Sequence, residues 1–397
     1  MTPKHRISPV IARESLTPWR ASGFGLVELM VSMLIGLVII GALVTLFVNT
    51  SGNNRELARA NSMIENGRFA IKVLEDDLVH AGYWGAYVPT YDDQNWAAVP
   101  AGDAPTAVPD PCAAVGTWDA VYKTNLIGVP VQAYDDDAAA DLATCVVDAV
   151  IEDRLPDTDI LIVRHVETCA AGAVAVGNCA ATDPNKLYIQ PGLCATEATP
   201  YVFDTSGFTL HKIDCGTNVP EAFAEKRRFV SHIYYIRDYA VAAGDDIPTL
   251  VRSEFDLAGG VLEHQPPVAL VEGIEAFRIE LGVDDLSKTG LAVDYTQAII
   301  WADPLDRATP TNRGDGVPDG AYIRCSPDCT LAELMNVTSA KIFLLARSRE
   351  ASPNYTDTKT YTLGTAGAVG PFNDHFKRHV FTTTVRLPNI AGRRMSP

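Results

Sequence analysis

Gly23-Phe24-Gly25-Leu26-Val27-Glu28 opens a run that continues through Val48 with no further charge, and its reading decides the fold. A carboxylate near the start of an otherwise apolar span costs roughly 3 kcal/mol in hydrocarbon on insertion scales, so such a residue marks a function with a partner charge. Cutting the chain between Gly23 and Phe24 would create that partner. The new α-amine would lie four residues from Glu28, and the amine of a neighbouring subunit could neutralise the carboxylate inside a membrane or a helical bundle. From Phe24 to Val48 a helix would extend roughly 37 Å at about 1.5 Å per residue, long enough to cross a bilayer. Residues 1–23 carry Lys4, Arg6, Arg13 and Arg20 against Glu14 alone. That positive bias keeps the leader cytoplasmic and sends the C-terminal part across the membrane. The run is too long for a secretory h-region, and no small-residue cleavage site follows it. An ordinary signal anchor that happens to carry Glu28 is the alternative. Gly36 and Gly41 let membrane helices approach closely, in a filament core or elsewhere.

Asn49-Thr50-Ser51-Gly52-Asn53-Asn54 is polar and weakly helical, and marks membrane exit with a bend. From Arg55 to His80, Leu57, Ile64, Ile71 and Leu78 recur every seven residues with Leu74 in the same stripe, while Arg55, Arg59, Glu65, Lys72 and Asp76 fall elsewhere. The pattern predicts an amphipathic helix with one buried face, stopped at Gly82.

The Gly23-Phe24…Glu28 step, with basic residues before it and an apolar helix after it, resembles the class III leader of type IV prepilins. Glu65-Asn66-Gly67-Arg68-Phe69-Ala70, Leu74, Asp77-Leu78 and Ala81-Gly82-Tyr83-Trp84-Gly85 sharpen this into a resemblance to PilW-type minor pilins. Further matches are Arg227-Arg228-Phe229-Val230-Ser231 leading into Ile233–Arg237, Val271–Phe277, Gly282-Val283-Asp284 and Phe381–Leu387. The likeness covers residues 20–85 and 225–390 and is thin over 86–225. It implies that a prepilin peptidase cuts after Gly23 and N-methylates Phe24, and that Glu28 serves assembly. It also implies a non-enzymatic, single-pass protein of the bacterial inner membrane with a periplasmic C-terminal domain, reaching the pilus and cell surface after assembly. The partners implied are other minor pilins, the major pilin, the inner-membrane assembly platform and the lipid bilayer. The expected role is priming filament initiation at or near the tip. A pseudopilin of a type II secretion or DNA-uptake system, or a tip adhesin acting through residues 86–225, is the alternative.

Without the leader, 28 basic face 48 acidic side chains, a net charge near −20. Such acidity argues against nucleic acid as a partner, because displacing counterions from phosphates takes Lys and Arg. Cysteines at 112, 145, 169, 179, 194, 215, 325 and 329 all lie beyond the apolar span and read first as disulfides in an exported protein. The 105 pairings that eight cysteines allow stay open. Short loop closure puts Cys325–Cys329 and Cys169–Cys179 first. No C-x2-C or H-x3-H spacing supports zinc on these cysteines.

Strand-length runs rich in β-branched and aromatic residues stand at 159–166, 228–237, 249–255, 274–283, 340–348 and 379–387, between Gly, Pro and Asp clusters. Thr330 caps a short helix to Met335. The expected fold is α+β: a long N-terminal helix, transmembrane then amphipathic, packed on an antiparallel, pilin-like β-sheet domain. Its expected parts are a leader (1–23), a membrane or pilus-core helix (24–48), an amphipathic helix (49–82), a loop-rich inserted region (83–225) and a C-terminal β-rich domain (226–397). Residues 101–111, 135–141 and 170–181 read as surface loops.

Signs of catalysis are lacking: there is no G-x-S-x-G elbow, H-E-x-x-H or phosphate-cradling glycine loop. His80, His165 and His232 read as packed or solvated. Asn312–Gly320 is similar to the latter half of a calcium loop, with Asp315 and Asp319 as weak calcium ligands, although Arg313 stands where a ligand belongs. A Gly/Pro turn is the plainer reading, and the Arg-Gly-Asp within it is read as coincidence.

Overall fold

A computed structural model describes residues 23, 25–94, 102–135, 142–147, 149–177, 179–216, 222–258, 260–326 and 328–395. The chain divides after Leu57 into two compact units, each taken here by itself. Helix α1 (Leu26–His80) contributes to both. Residues 49–54, read from the sequence as weakly helical with a bend, are helical.

In the unit from Ala58 onward the fold is α+β. Strands β1 (Val131–Tyr134), β2 (Ile160–Val166), β3 (Tyr188–Pro191), β4 (Tyr201–Asp204), β5 (Arg227–Arg237), β6 (Thr249–Ala258), β7 (Val261–His264) and β8 (Val268–Glu272) form one antiparallel sheet among the described residues. Strands β9 (Ile274–Val283), β10 (Val337–Arg347) and β13 (Arg378–Arg386) form a second, with β10 in the middle. The short pair β11 (Tyr361–Thr362) and β12 (Ala368–Val369) stands apart. The other helices are α2 (Ala120–Gly128), α3 (Ala143–Val147), α4 (Leu331–Met335) and α5 (Pro388–Arg394).

The long β5 organises the larger sheet. Leu161–Val166 of β2 lines one of its edges, while β6 takes residues 232–237 of the other edge and β3 takes Arg227 and Arg228. The sheet therefore crosses the boundary expected at 225, because β1 to β4 belong to the stretch read as a loop-rich insertion. Both faces of its centre are buried. Val131, Leu161, Val163, Tyr234 and Leu250 face the core that holds α1. Tyr134, Ile160, Ile162, Ile233, Tyr235 and Val251 pack in a second cluster with Cys112 and Cys145. Asp159 ties the two sheets together: it accepts from Arg278 at 3.1 Å, Arg324 at 2.6 Å and the Ile279 amide at 2.9 Å.

The buried stripe of α1 differs from the heptad read in the sequence. Leu74 and Leu78 are buried, but Ile64 and Ile71 only partly so, and Leu57 is exposed. The contact runs instead through Met63, Gly67, Ala70, Leu74 and Asp77. Two of these, Gly67 and Ala70, are small, and a count of large apolar side chains misses them. A Cβ on Gly67 would lie 2.1 Å from the Phe381 ring of β13, so the helix backbone itself rests on that ring. Helix α1 ends before Gly82, whose φ is +71°. Helix α4 carries the expected cap, with Thr330 and Glu333 each bonding the other's backbone amide. Helix α5, which follows the last strand, was not read in the sequence; Pro388 opens it.

His264, on β7, is buried between two serines. Ser253 Oγ donates to the Gln265 carbonyl at 2.6 Å, so it accepts from His264 Nδ1 at 3.2 Å, and Nε2, 3.1 Å from Ser231 Oγ, accepts. Burial, with Arg164 and His232 nearby, pushes this imidazole down to about 3.

Two outcomes are expected. Gly67→Ala should cost about 1 kcal/mol, because overpacking of roughly 1–3 kcal/mol exceeds the ~1 kcal/mol of helix propensity gained. Phe381→Ala on the same chain should remove that penalty; a double mutant cycle in urea that shows no coupling would contradict the contact. The second concerns pH. Between about 6.5 and about 3 the unfolded chain binds a proton at His264 that the folded chain does not. Stability should therefore be full above pH 6.5 and fall as pH drops through that window, by up to about 1.4 kcal/mol per unit. The advantage of wild type over His264→Gln should shrink from pH 7 to pH 4; parallel melting curves would show that the ring is not the cause.

Candidate functional site

In the first unit, α1 closes its first turn on Gly25, whose carbonyl accepts from the Leu29 amide at 3.1 Å. From Leu26 to Val48 the side chains are exposed along the whole helix, and none of residues 29–48 is charged. The two hydroxyls in this stretch are turned inward: Ser32 donates to the Glu28 carbonyl at 2.5 Å and Thr45 to the Gly41 carbonyl at 2.9 Å. Such back-bonding hides polar hydrogens from an apolar medium. This is one helix long and apolar enough, by length and composition, to cross a membrane. Glu28 sits in the first turn, where the helix dipole favours a carboxylate. Among the described residues no side chain pairs with it. Gly23 is exposed. Phe24 and residues 1–22 of the expected leader lie outside the described residues.

In the second unit, three side chains far apart in sequence converge. Asp77 lies on the buried stripe of α1, His165 on β2 and His232 on β5. Asp77 Oδ1 is 2.9 Å from His165 Nε2, and Oδ2 is 2.8 Å from His232 Nδ1. Burial alone would push the Asp77 carboxyl up; the two imidazoles outweigh it and hold the carboxyl well below the usual carboxylate range. His80 stacks at a tilt on His165, ring centres 5.6 Å apart. From the sequence these histidines read as packed or solvated side chains. The missed signal was an acid, Asp77, in register with Ala70 and Leu74 on the buried stripe.

The loop read as a calcium candidate is wired into the C-terminus. Asp284 accepts from the amides of Asp315 and Gly316 at 3.1 and 2.9 Å, and from Arg394 at 3.3 Å. A Cβ on Gly314 would collide with that carboxylate. Asp315 accepts from the Val317 amide and Asp319 from the Leu286 amide, at 3.0 and 2.8 Å. Arg313 donates to the carbonyls of Asp294, Asn312 and Gln297. The buried Arg394 also reaches Asp92 at 2.7 Å, Asn336 at 2.9 Å and the Met335 carbonyl at 2.7 Å.

All the cysteines are paired. Cys325 bonds Cys329 and Cys169 bonds Cys179, as do Cys112 with Cys145 and Cys194 with Cys215. The last two span 33 and 21 residues, separations that loop length does not single out.

Compared with known families, residues 233–389 match the model of the type IV pilus-assembly protein W family. The C-terminal part of this chain matches PilW. The matched stretch runs from the middle of β5 through β13 to the start of α5, and so includes His232's neighbours, Asp284 and the Cys325–Cys329 loop. No curated protein matches the chain. Among solved structures, a type IV-like pilin from Thermus thermophilus aligns over 60% of this chain and 83% of that one, at 16% identity. Its TM-score of 0.22 carries no argument about the fold.

Glu28→Ala is expected to insert into membranes as well as the parent chain, since removing a carboxylate lowers the cost of burial in lipid. If the charge serves a partner amine, the variant should lose incorporation into filaments. Quantifying it in membrane and sheared surface fractions tests this; equal incorporation would make the charge incidental.

Proposed function

We propose that this chain is a minor pilin that takes part in type IV pilus assembly. In this reading a prepilin peptidase cuts after Gly23 and methylates Phe24. Residues 24–48 then hold the protein in the inner membrane with its disulfide-bonded domain in the periplasm, and later pack in the filament beside the major pilin and other minor pilins. One coincidence carries the reading: a Gly23-to-Glu28 step, a wholly exposed apolar helix behind it and a PilW match at residues 233–389 occur in one chain.

The finer role is priming. A filament's first subunits gain few lateral contacts to offset their extraction from lipid, so initiation is the slow step. A minor pilin that docks through a large, preassembled globular domain lowers that barrier. Deleting the gene should therefore reduce surface pili without reducing major pilin in the membrane, and blocking retraction should partly restore them. Wild-type piliation in the deletion strain would overturn the reading.

A specific observation favours a second reading, adhesion. A cavity of ≈ 520 Å³ lies within the stretch least like the family, lined by Asp103, Lys123, Tyr201 and Phe203 among others. If that cavity binds a surface ligand, Tyr201→Ala should abolish adhesion and leave piliation intact.

A further inference from the structure

Asp77 is held by two imidazoles, and the hydrogen position of one of them, His165, is constrained. His165 Nδ1 lies 2.9 Å from the Val166 carbonyl, which has no hydrogen to give, so Nδ1 is the donor. In a neutral ring, Nε2 then carries a lone pair, and it stands 2.9 Å from Asp77 Oδ1. Two acceptors at that separation need a proton or a metal ion between them. Nearby cations are otherwise engaged: Arg228 pairs with Glu167 and Glu254, Arg252 with Glu254, and Lys72 with Asp76. Apart from the neutral Tyr234 hydroxyl, which also hydrogen-bonds Asp77, the Asp77 charge is thus left to the imidazoles and to whatever they bind.

We propose that Asp77, His165 and His232 form a binding site for a divalent metal ion of the zinc class, with one carboxylate oxygen, His165 Nε2 and His232 Nδ1 as ligands. The three donor atoms all lie within 4.8 Å of one another. Tetrahedral zinc with bonds of about 2.0–2.1 Å places its donors about 3.3 Å apart, so small side-chain movements suffice. Two imidazoles and a carboxylate suit zinc and its neighbours better than magnesium or calcium. The Nδ1–H of His165 on a backbone carbonyl is the outer contact that ligating histidines make, and it fixes the tautomer that offers Nε2 to a metal. An open cavity of ≈ 450 Å³ adjoins the three residues and leaves room for water as a fourth ligand. The ion would staple α1 to β2 and β5, closing chain separations of 88 and 155 residues. Its role is structural, and it stands apart from the proposed part in pilus assembly.

The test uses full-length protein in detergent, freed of any affinity tag and stripped with chelator, then titrated with zinc chloride alone and with cobalt chloride alone. One equivalent of zinc should bind, the cobalt complex should show visible d–d absorption, and saturating zinc should raise Tm by several degrees. His165→Gln and His232→Gln should each weaken zinc binding by more than the roughly 10–100-fold that loss of an outer contact costs. Circular dichroism checks that the variants fold, and the wild-type titration does not depend on them. Wild-type protein that binds no more zinc than the His165→Gln/His232→Gln double variant would overturn the proposal. One full equivalent retained by the double variant would overturn it as well, by placing the ion elsewhere.

Discussion

The close approach of α1 to the sheets is the constraint on which residues 58–395 depend. A helix seats this tightly only where its own side chains are small, and Gly67 and Ala70 supply that surface, with the Phe381 ring against the helix backbone. Once seated, Leu74 and Leu78 lose all contact with water, each contributing about 1.5–3 kcal/mol of apolar burial. The same seating brings Asp77 within hydrogen-bond reach of two strands that are not neighbours in sequence. A bulkier stripe would hold the helix off, thin the core and leave both histidines without their carboxylate.

Around that core, loops are held by buried charge. Arg394 gathers Asp92, Asp284 and Asn336 at one end. Arg378 gathers Glu275, Asp357 and Asp374 at the other. Asp159 does the same with reversed sign, between Arg278 and Arg324. In a chain of net charge −17 these arginines are a scarce resource spent indoors. Removing one partner of such a group leaves the rest uncompensated, typically at about 3–5 kcal/mol. Loops rich in Gly, Pro and Asp have little apolar surface with which to fix themselves, so directional ion pairs fix them instead.

How much of this was legible follows from the kind of signal each feature leaves. Strand β9 was read with its observed ends, because an apolar β-rich run between Gly273 and Asp284 is a local pattern. Strand β10 begins before its apolar run, since Val337, Thr338 and Ser339 resemble a loop until Val337 and Ser339 pair with β9 across an irregularity at Thr338. The stretch from 83 to 225 looked like loops because β1, β3 and β4 are four residues each and gain meaning only beside β2 and β5. Short disulfide loops were visible in the spacing, whereas Cys112–Cys145 and Cys194–Cys215 depend on the tertiary fold. Asp77, His165 and His232 belong to three different elements, so neither periodicity nor motif could bring them together.

The inward-turned hydroxyls of Ser32 and Thr45 have a consequence for how one apolar helix knows where to stop along another. With both hydroxyls spent on their own backbone, residues 29–48 offer a neighbour an apolar surface notched at Gly36 and Gly41, with no polar side-chain hydrogen left to mark an axial position. Glu28 is the one graduation on that ruler. In the proposed filament, a neighbouring helix displaced by one turn, about 5.4 Å, would strand a carboxylate in hydrocarbon. A single buried polar group is known to set register in coiled coils at some cost in stability. By the same logic, the lone acid would give the subunit its rung on the filament while the apolar surface supplies the grip.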